Sequence, residues 1–233
     1  MLGPPGAGKG TQAERIAAAT SMPHIATGDI FRANVRTGTP LGAQAKAHMD
    51  RGNLVPDELV IGMVTGRLCE ADAADGFLLD GFPRTVAQAE ALEAFLEQRG
   101  VPLDVVLRFN LSEEQIVSRI VDRRSCPVDG SVYHLRFAPP SHDERCDRCG
   151  TELIQRQDDA EDVVRHRIAE YWAKTAPLEA FYADRSILVD IDATGAVDDV
   201  SRRTMVVLQR LAAVADRGRI VDLTAQPQEQ LPG

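Results

Sequence analysis

Four glycines among the first ten residues constrain this chain more than any other feature. Gly3, Gly6, Gly8 and Gly10 stand in the run Met1-Leu-Gly-Pro-Pro-Gly-Ala-Gly-Lys-Gly-Thr11 and free its backbone of side chains. The N–H groups of such a run can converge on one concavity and cradle an anion. Lys9 adds a point charge and Thr11 a hydroxyl. Residues 12–19 read as helical, so the loop falls at a helix N-terminus, where the dipole also favours an anion. The pattern G-x-x-x-x-G-K-[ST] is met through Lys9, with Gly10 interposed before Thr11. A phosphate loop normally follows a buried strand, which reads as a continuous apolar run. Only Met1 and Leu2 precede Gly3, too few for one. The expectation is therefore that the natural product begins upstream with an apolar run, and that the chain as given is poorly stable and weakly active.

A chain of 233 residues suits one α/β domain with insertions, or a domain plus a lid. It holds no apolar run near the ~20 residues a membrane helix needs, which speaks against a membrane partner. A net charge of −9 speaks against nucleic acid. Arginines still cluster locally, at Arg119, Arg123 and Arg124 and at Arg165 and Arg167, as a small anionic ligand in a cleft would require. Three of the four cysteines fall within residues 126–149, which points to a metal in a reducing cytoplasm rather than to disulfides.

Helical segments alternate with short apolar runs, the pattern of a parallel α/β sheet. Strands are expected at 24–26, 77–79, 105–109 and 187–191. Helices are expected at 27–36, 41–51, 57–72, 85–98, from 112 to near 124, at 160–182 with a break near Pro177, and at 197–214. Ser112-Glu-Glu-Gln115 is a capping box. Residues 125–157 break the alternation with prolines, glycines and cysteines, and read as a small inserted lobe. Cys69, alone on a helix, reads as a core residue.

These motifs, in their order and spacing, resemble the adenylate kinase family, in its bacterial long-lid form with a zinc-binding lid. The resemblance rests on Gly3-Pro-Pro-Gly-Ala-Gly-Lys-Gly-Thr-Gln12, Thr27-Gly-Asp29, Leu79-Asp-Gly-Phe-Pro-Arg-Thr85 with Gln88, Arg119 with Arg123-Arg124, Arg156-Gln-Asp-Asp159 and Arg165-His-Arg167. It implies a P-loop nucleoside monophosphate kinase fold: a core of 1–124 and 158–216, an AMP-binding helical insertion at 27–56, a lid at 125–157 and a flexible tail at 217–233. The missing strand would be the central one of five. It implies phosphoryl transfer from Mg·ATP to AMP giving two ADP, by a cytoplasmic monomer. The alternatives are a GTP:AMP phosphotransferase, or a nucleotide-binding module made inactive by truncation.

By the same resemblance, Gly6, Ala7, Gly8, Lys9, Gly10 and Thr11 would bind the ATP phosphates. Thr27, Arg32, the backbone of Asn53, Leu54 and Val55, Gly81, Arg84 and Gln88 would bind AMP. Arg119, Arg123, Arg156 and Arg167 would surround the moving phosphoryl group, and Val132, Tyr133 and Gly195 would lie near the ATP ribose and base. Arg124 and Arg165 read as solvated surface charges. The residues themselves agree: phosphoryl transfer asks mainly for positioning and charge neutralisation, and planar guanidinium groups supply both. Asp80, at a strand's C-terminal end, stands where an acid would hold the waters of a bound Mg²⁺. The resemblance also implies, through Thr27 and Gln88, a preference for AMP over pyrimidine nucleotides.

Cys126-Pro-Val-Asp129 and Cys146-Asp-Arg-Cys149 form two x₂ knuckles, a structural zinc signal with one carboxylate among its four ligands. His134 and His142 compete with Asp129 for the fourth place.

Overall fold

The computed structural model describes residues 1–214; the expected tail at 217–233 lies outside the described residues. The chain runs through α1 (Lys9–Thr20), β1 (His24–Ala26), α2 (Thr27–Arg36), α3 (Pro40–Met49), α4 (Asp57–Leu68), β2 (Leu78–Asp80), α5 (Val86–Gln98), β3 (Val106–Asn110) and α6 (Glu113–Val121). It continues through β4 (Arg123–Ser125), β5 (Val132–His134), α7 (Glu161–Glu170), α8 (Leu178–Ala183), β6 (Leu188–Asp192) and α9 (Val197–Val214).

Local chemistry sets several of these boundaries. Thr39 accepts from the Gly42 N–H, with Pro40 in the first turn of α3. Thr85 caps α5 through the Gln88 N–H, and Ser112 and Gln115 form the capping box of α6.

β1 pairs with β2 and β3 with β6, both in parallel. Met1 and Leu2 stand between the pairs. The Leu2 N–H donates to Leu107 O at 2.8 Å, the Phe109 N–H donates to Leu2 O at 2.9 Å, and the Met1 ammonium reaches Leu79 O at 2.7 Å. Two residues thus fill the place where the resemblance puts a central strand. Leu2 is buried there against Val106, Leu178 and Tyr182.

Two larger apolar clusters flank the join. Ile25, Phe31, Val64, Leu79, Phe82 and Leu92 pack the helices α2 to α5 against β1 and β2. Ile16, Phe109, Ile191 and Val200 tie α1 and α9 to β3 and β6. Each fully buried large side chain contributes roughly 1.5–3 kcal/mol.

Three expectations need correction. The helix from Asp57 stops at Leu68, and a 3₁₀ turn (Ala71–Ala73) follows, because Arg67 folds back on Asp72 with bonds of 2.8 and 2.6 Å. Cys69 is exposed rather than core, since it lies one residue past the last buried position, Leu68. The helix from Ser112 ends at Val121, not near Arg124. Residues 123–125 turn into β4, which pairs antiparallel with β5 and starts the inserted lobe.

The helix expected over 160–182 is three segments. A π-helical stretch, Tyr171–Thr175, separates α7 from α8. Ala176 N–H donates to Tyr171 O five residues back, Pro177 has no N–H to give, and Thr175 Oγ1 donates to Arg84 O at 2.9 Å. No helix among the described residues is long and apolar enough to cross a membrane.

Candidate active site

The glycine loop closes between the end of β3 and α6. Gly3 has φ +142°, and a Cβ there would stand 2.6 Å from Phe109 O; Gly6 has φ +77°, and its Cβ would stand 2.7 Å from Ile120 Cγ1. Both positions therefore require glycine on steric as well as conformational grounds. Gly8 ends the loop in left-handed conformation as the N-cap of α1, so the first N–H groups of that helix open on the loop's concavity.

Lys9 lies across the loop and donates to Gly3 O at 2.7 Å and Pro4 O at 2.9 Å. Burial pulls its pKa down to about 8, although Asp80 acts the other way. Asp80, at the end of β2, is half-buried. Burial alone would raise its pKa, but His24, at 3.5 Å, and Lys9 hold the carboxyl below its ordinary value.

Past β2 the chain turns at Gly81, φ +77°, where a Cβ would meet Arg84 Nη2 and Thr27 Oγ1 at 2.9 Å. Thr27 Oγ1 donates to Gly81 O at 2.9 Å, and Arg84 Nε donates to the same oxygen at 2.7 Å. Arg84 is brought down to about 10 by burial first and by Arg167 second. Gln88 is buried on the first turn of α5. Arg32 pairs with Asp29 on α2. Asn53 Oδ1 lies 2.7 Å from His166 Nε2, which joins the helical insertion to α7.

A set of arginines faces this turn from the other side. Burial disfavours the Arg123 cation, but Asp159, fully buried, binds it (Nε to Oδ2 2.9 Å) and raises its pKa overall. Arg167 donates to Asp158 O at 2.8 Å and Oδ2 at 2.9 Å; burial still holds it below the ordinary arginine value. Arg156 is brought down to about 10 by burial, then by its neighbours Arg32 and Arg123. Arg119 donates to Ala193 O at 3.1 Å and Gly195 O at 3.3 Å. Half-buried guanidinium groups gathered on one wall have the charge and planar geometry that suit phosphate oxygens.

One cleft of about 1170 Å³ joins these groups. Its wall includes Gly6, Ala7, Gly8, Lys9, Gly10, Thr11, Thr27, Arg32, Asn53, Leu54, Val55, Asp80, Gly81, Arg84 and Gln88. Arg119, Arg123, Val132, Tyr133, Arg156, Arg167 and Gly195 complete the set singled out in the sequence. Arg165 points to solvent and pairs with Glu161 at 2.7 Å, while Arg124 binds the carbonyls of Val121 and Arg123; neither lines the cleft. Sequence reasoning missed His24, Asp158, Tyr171 and Thr175, which do line it. Asp158 had a signal in its place beside Arg156; the other three had none.

The inserted lobe gathers Cys126, Asp129, Cys146 and Cys149, whose ligand atoms lie within 4.8 Å of one another. Two matching turns bring them there. Gly130 N–H donates to Cys126 O and Gly150 N–H to Cys146 O, with φ +78° and +71° at the two glycines. Cys126 N–H donates to Ser131 O and Cys146 N–H to Thr151 O, both at 2.8 Å. The repeat Cys-x-x-Asp-Gly and Cys-x-x-Cys-Gly puts Asp129 in the place of a cysteine. Three thiols and a carboxylate suit Zn²⁺. His134 stands apart, with its Nδ1 accepting from the Arg136 and Phe137 N–H groups, and His142 is exposed outside the cluster. Tyr133 ties the lobe to the cleft: its hydroxyl accepts from Asp147 N–H at 2.8 Å and lies 3.4 Å from Cys146 Sγ.

A parallel α/β core with a phosphate loop, an arginine-lined cleft and two insertions defines a P-loop nucleoside monophosphate kinase fold. The family model described as "Adenylate kinase" matches residues 1–187. An adenylate kinase of Salinispora tropica is 54% identical over 205 residues, covering 88% of this chain and 94% of the relative. One of Streptomyces griseus is 52% identical over 210 residues (90% and 96%), and one of Methanococcoides burtonii 51% over 200 residues (86% and 93%). The chain belongs to the adenylate kinase family of enzymes.

Proposed function

We propose that this chain transfers the terminal phosphoryl group of ATP to AMP, giving two ADP. The observation that carries the reading is the meeting of the glycine loop, Lys9 and the arginines Arg84, Arg119, Arg123, Arg156 and Arg167 in one cleft.

An AMP phosphate oxygen attacks the γ-phosphorus in line. The bond from phosphorus to the β,γ-bridging oxygen breaks, and its electron pair stays on the departing ADP. The attacking phosphate has a second pKa near ~6 and needs no general base at neutral pH. Catalysis is then positioning and electrostatics. In this reading the loop amides and Lys9 hold the donor phosphates, Arg84 holds the AMP phosphate, and Arg119, Arg123, Arg156 and Arg167 stabilise charge on the group in flight. Thr27, Arg32, Asn53 to Val55, Gly81 and Gln88 form the AMP subsite; Val132, Tyr133 and Gly195 face the ATP ribose and base.

Mg²⁺ carried in with ATP would supply further neutralisation of phosphate charge. Asp80 fits it as a hard oxygen donor: its Oδ2 lies 3.4 Å from where a Cβ on Gly10 would stand, so the carboxylate faces the loop. Zn²⁺ in the lobe would be structural, held by Cys126, Asp129, Cys146 and Cys149. The same reading divides the chain into a core of 1–124 and 158–216, an AMP insertion at 27–56 and a lid at 125–157, acting as a cytoplasmic monomer.

The test is coupled ADP formation, with AMP, CMP or UMP as acceptor and ATP or GTP as donor. AMP and ATP are expected to be strongly preferred. Equal use of CMP removes the AMP assignment, and preference for GTP replaces the donor.

Donor binding should also depend on pH. Lys9 in the empty site loses its proton as pH rises through about 8, whereas phosphate contact favours its charged form. Below that pH binding takes up no proton at Lys9. Above it each pH unit should weaken ATP up to about tenfold. Calorimetric titration between pH 7 and 9.5 reads this; a flat affinity across the range removes Lys9 as the titrating contact.

A further inference from the structure

Gln88 is held at both ends of its carboxamide. Its Oε1 accepts from the Arg84 N–H at 2.7 Å, and its Nε2 donates to Asp57 Oδ1 at 2.7 Å. Asp57, in the first turn of α4, accepts from Thr85 Oγ1 at 2.8 Å through its other oxygen. Asp57 does not line the cleft, whereas Gln88 does and is only 1% exposed.

Each of these partners speaks for one orientation. A backbone N–H can only donate, so it faces the amide oxygen; a carboxylate can only accept, so it faces the amide NH₂. Rotating the amide by half a turn would set oxygen against carboxylate oxygen and NH₂ against N–H, at a buried site. Each end of the amide keeps one further bonding position, a second N–H on Nε2 and a second lone pair on Oε1.

We propose that Asp57 is a specificity-determining positioning residue: it locks the Gln88 carboxamide so that the AMP subsite accepts 6-aminopurines and rejects 6-oxopurines. This rests on the reading that Gln88 faces the AMP base. Adenine offers a donor at its 6-amino group and an acceptor at N1, which the locked oxygen and NH₂ satisfy. Hypoxanthine and guanine offer the reverse, an acceptor at O6 and a donor at N1–H. A free amide would turn to suit either; a locked one meets the 6-oxo edge donor to donor and acceptor to acceptor.

The wild-type enzyme gives the first test, with IMP and purine riboside 5′-monophosphate as acceptors. The riboside keeps the N1 acceptor and has no 6-substituent. A locked amide should use it better than IMP; equal or better use of IMP overturns the lock. The second test is Asp57→Asn, whose side-chain amide can present either oxygen or NH₂. The kcat/KM ratio of AMP over IMP should fall about tenfold or more, mostly through KM for the monophosphate. The Arg84 N–H still holds the other end, so the preference shrinks rather than vanishes. An unchanged ratio with a lowered melting temperature overturns the lock and leaves Asp57 as a tie between α4 and α5. Gln88→Ala separates the two levels. An unchanged KM for AMP there removes the base subsite and the lock with it. A raised KM alongside an unchanged Asp57→Asn ratio removes the lock alone.

Discussion

Arg156→Ala is expected to lower turnover by on the order of 10²–10³-fold while leaving the melting temperature unchanged or slightly raised, because removing one preorganised charge from a closed site has that scale of effect. The two halves of the expectation have one cause. In the empty protein the Arg156 guanidinium makes no hydrogen bond among the described residues, and burial with Arg32 and Arg123 beside it disfavours its charge. Its removal strands no carboxylate and relieves some repulsion. The group is therefore held in place at a cost to the folded state, which on the proposed reading phosphate oxygens would offset. Arg123 behaves differently: its truncation would leave Asp159, which is fully buried, with Arg167 at 3.6 Å as its one ion-pair partner among the described residues. A variant there mixes stability with catalysis, as loss of one partner from a buried pair does. Arg156 separates them. Steady-state kinetics with a thermal melt reads both halves. Full turnover in Arg156→Ala removes this arginine from the transition state, and a large fall in melting temperature makes its role structural.

The same contrast explains what could be read in the sequence. The strand and helix pattern was legible because the apolar periods are strong and the caps are local: Thr39 with Pro40, Thr85 with Gln88, and Ser112 with Gln115 are all decided within four residues. The cleft wall was legible through short motifs, several at a strand end or a helix start, such as Lys9 at α1, Thr27 at α2 and Asp80 at the end of β2. Most of what the pattern did not carry was decided by more distant partners, although the stop of α4 at Leu68 rests on Arg67 and Asp72, five positions apart. The end of α6 depends on a lobe that folds back to pair Arg123–Ser125 with Val132–His134. The π-helical stretch depends on Thr175 reaching Arg84, 91 positions away. The Asp57 contact spans 31 positions and carries no spacing signature. Asp129 over His134 was left open by spacing alone; the paired turns at Gly130 and Gly150 favour the carboxylate.

Those paired turns make metal removal the other large effect. The lobe at 125–157 has little core of its own. Among its described apolar groups Cys126, Cys146 and Leu153 are buried with Tyr133 against them, while Val128, Phe137 and Ile154 are exposed. Such a cluster is too small to fix the lobe's backbone on its own. Bound zinc would add to it directly, because metal binding by so small a module is folding free energy. The expectation is one Zn²⁺ per chain, and a strong chelator should melt the lobe well below the core. Because Tyr133 hangs from Cys146 and Asp147, and β4 carries Arg123 out of the core, loss of the lobe should also abolish most turnover while ATP still binds the loop. Elemental analysis of freshly purified protein sets the stoichiometry, and less than about a tenth of an equivalent counts decisively against a structural metal. Asp129→Ala should weaken zinc retention strongly and His134→Ala should not. The reverse result would move the fourth ligand to His134, and with it the rationale drawn from the two matching turns would fall.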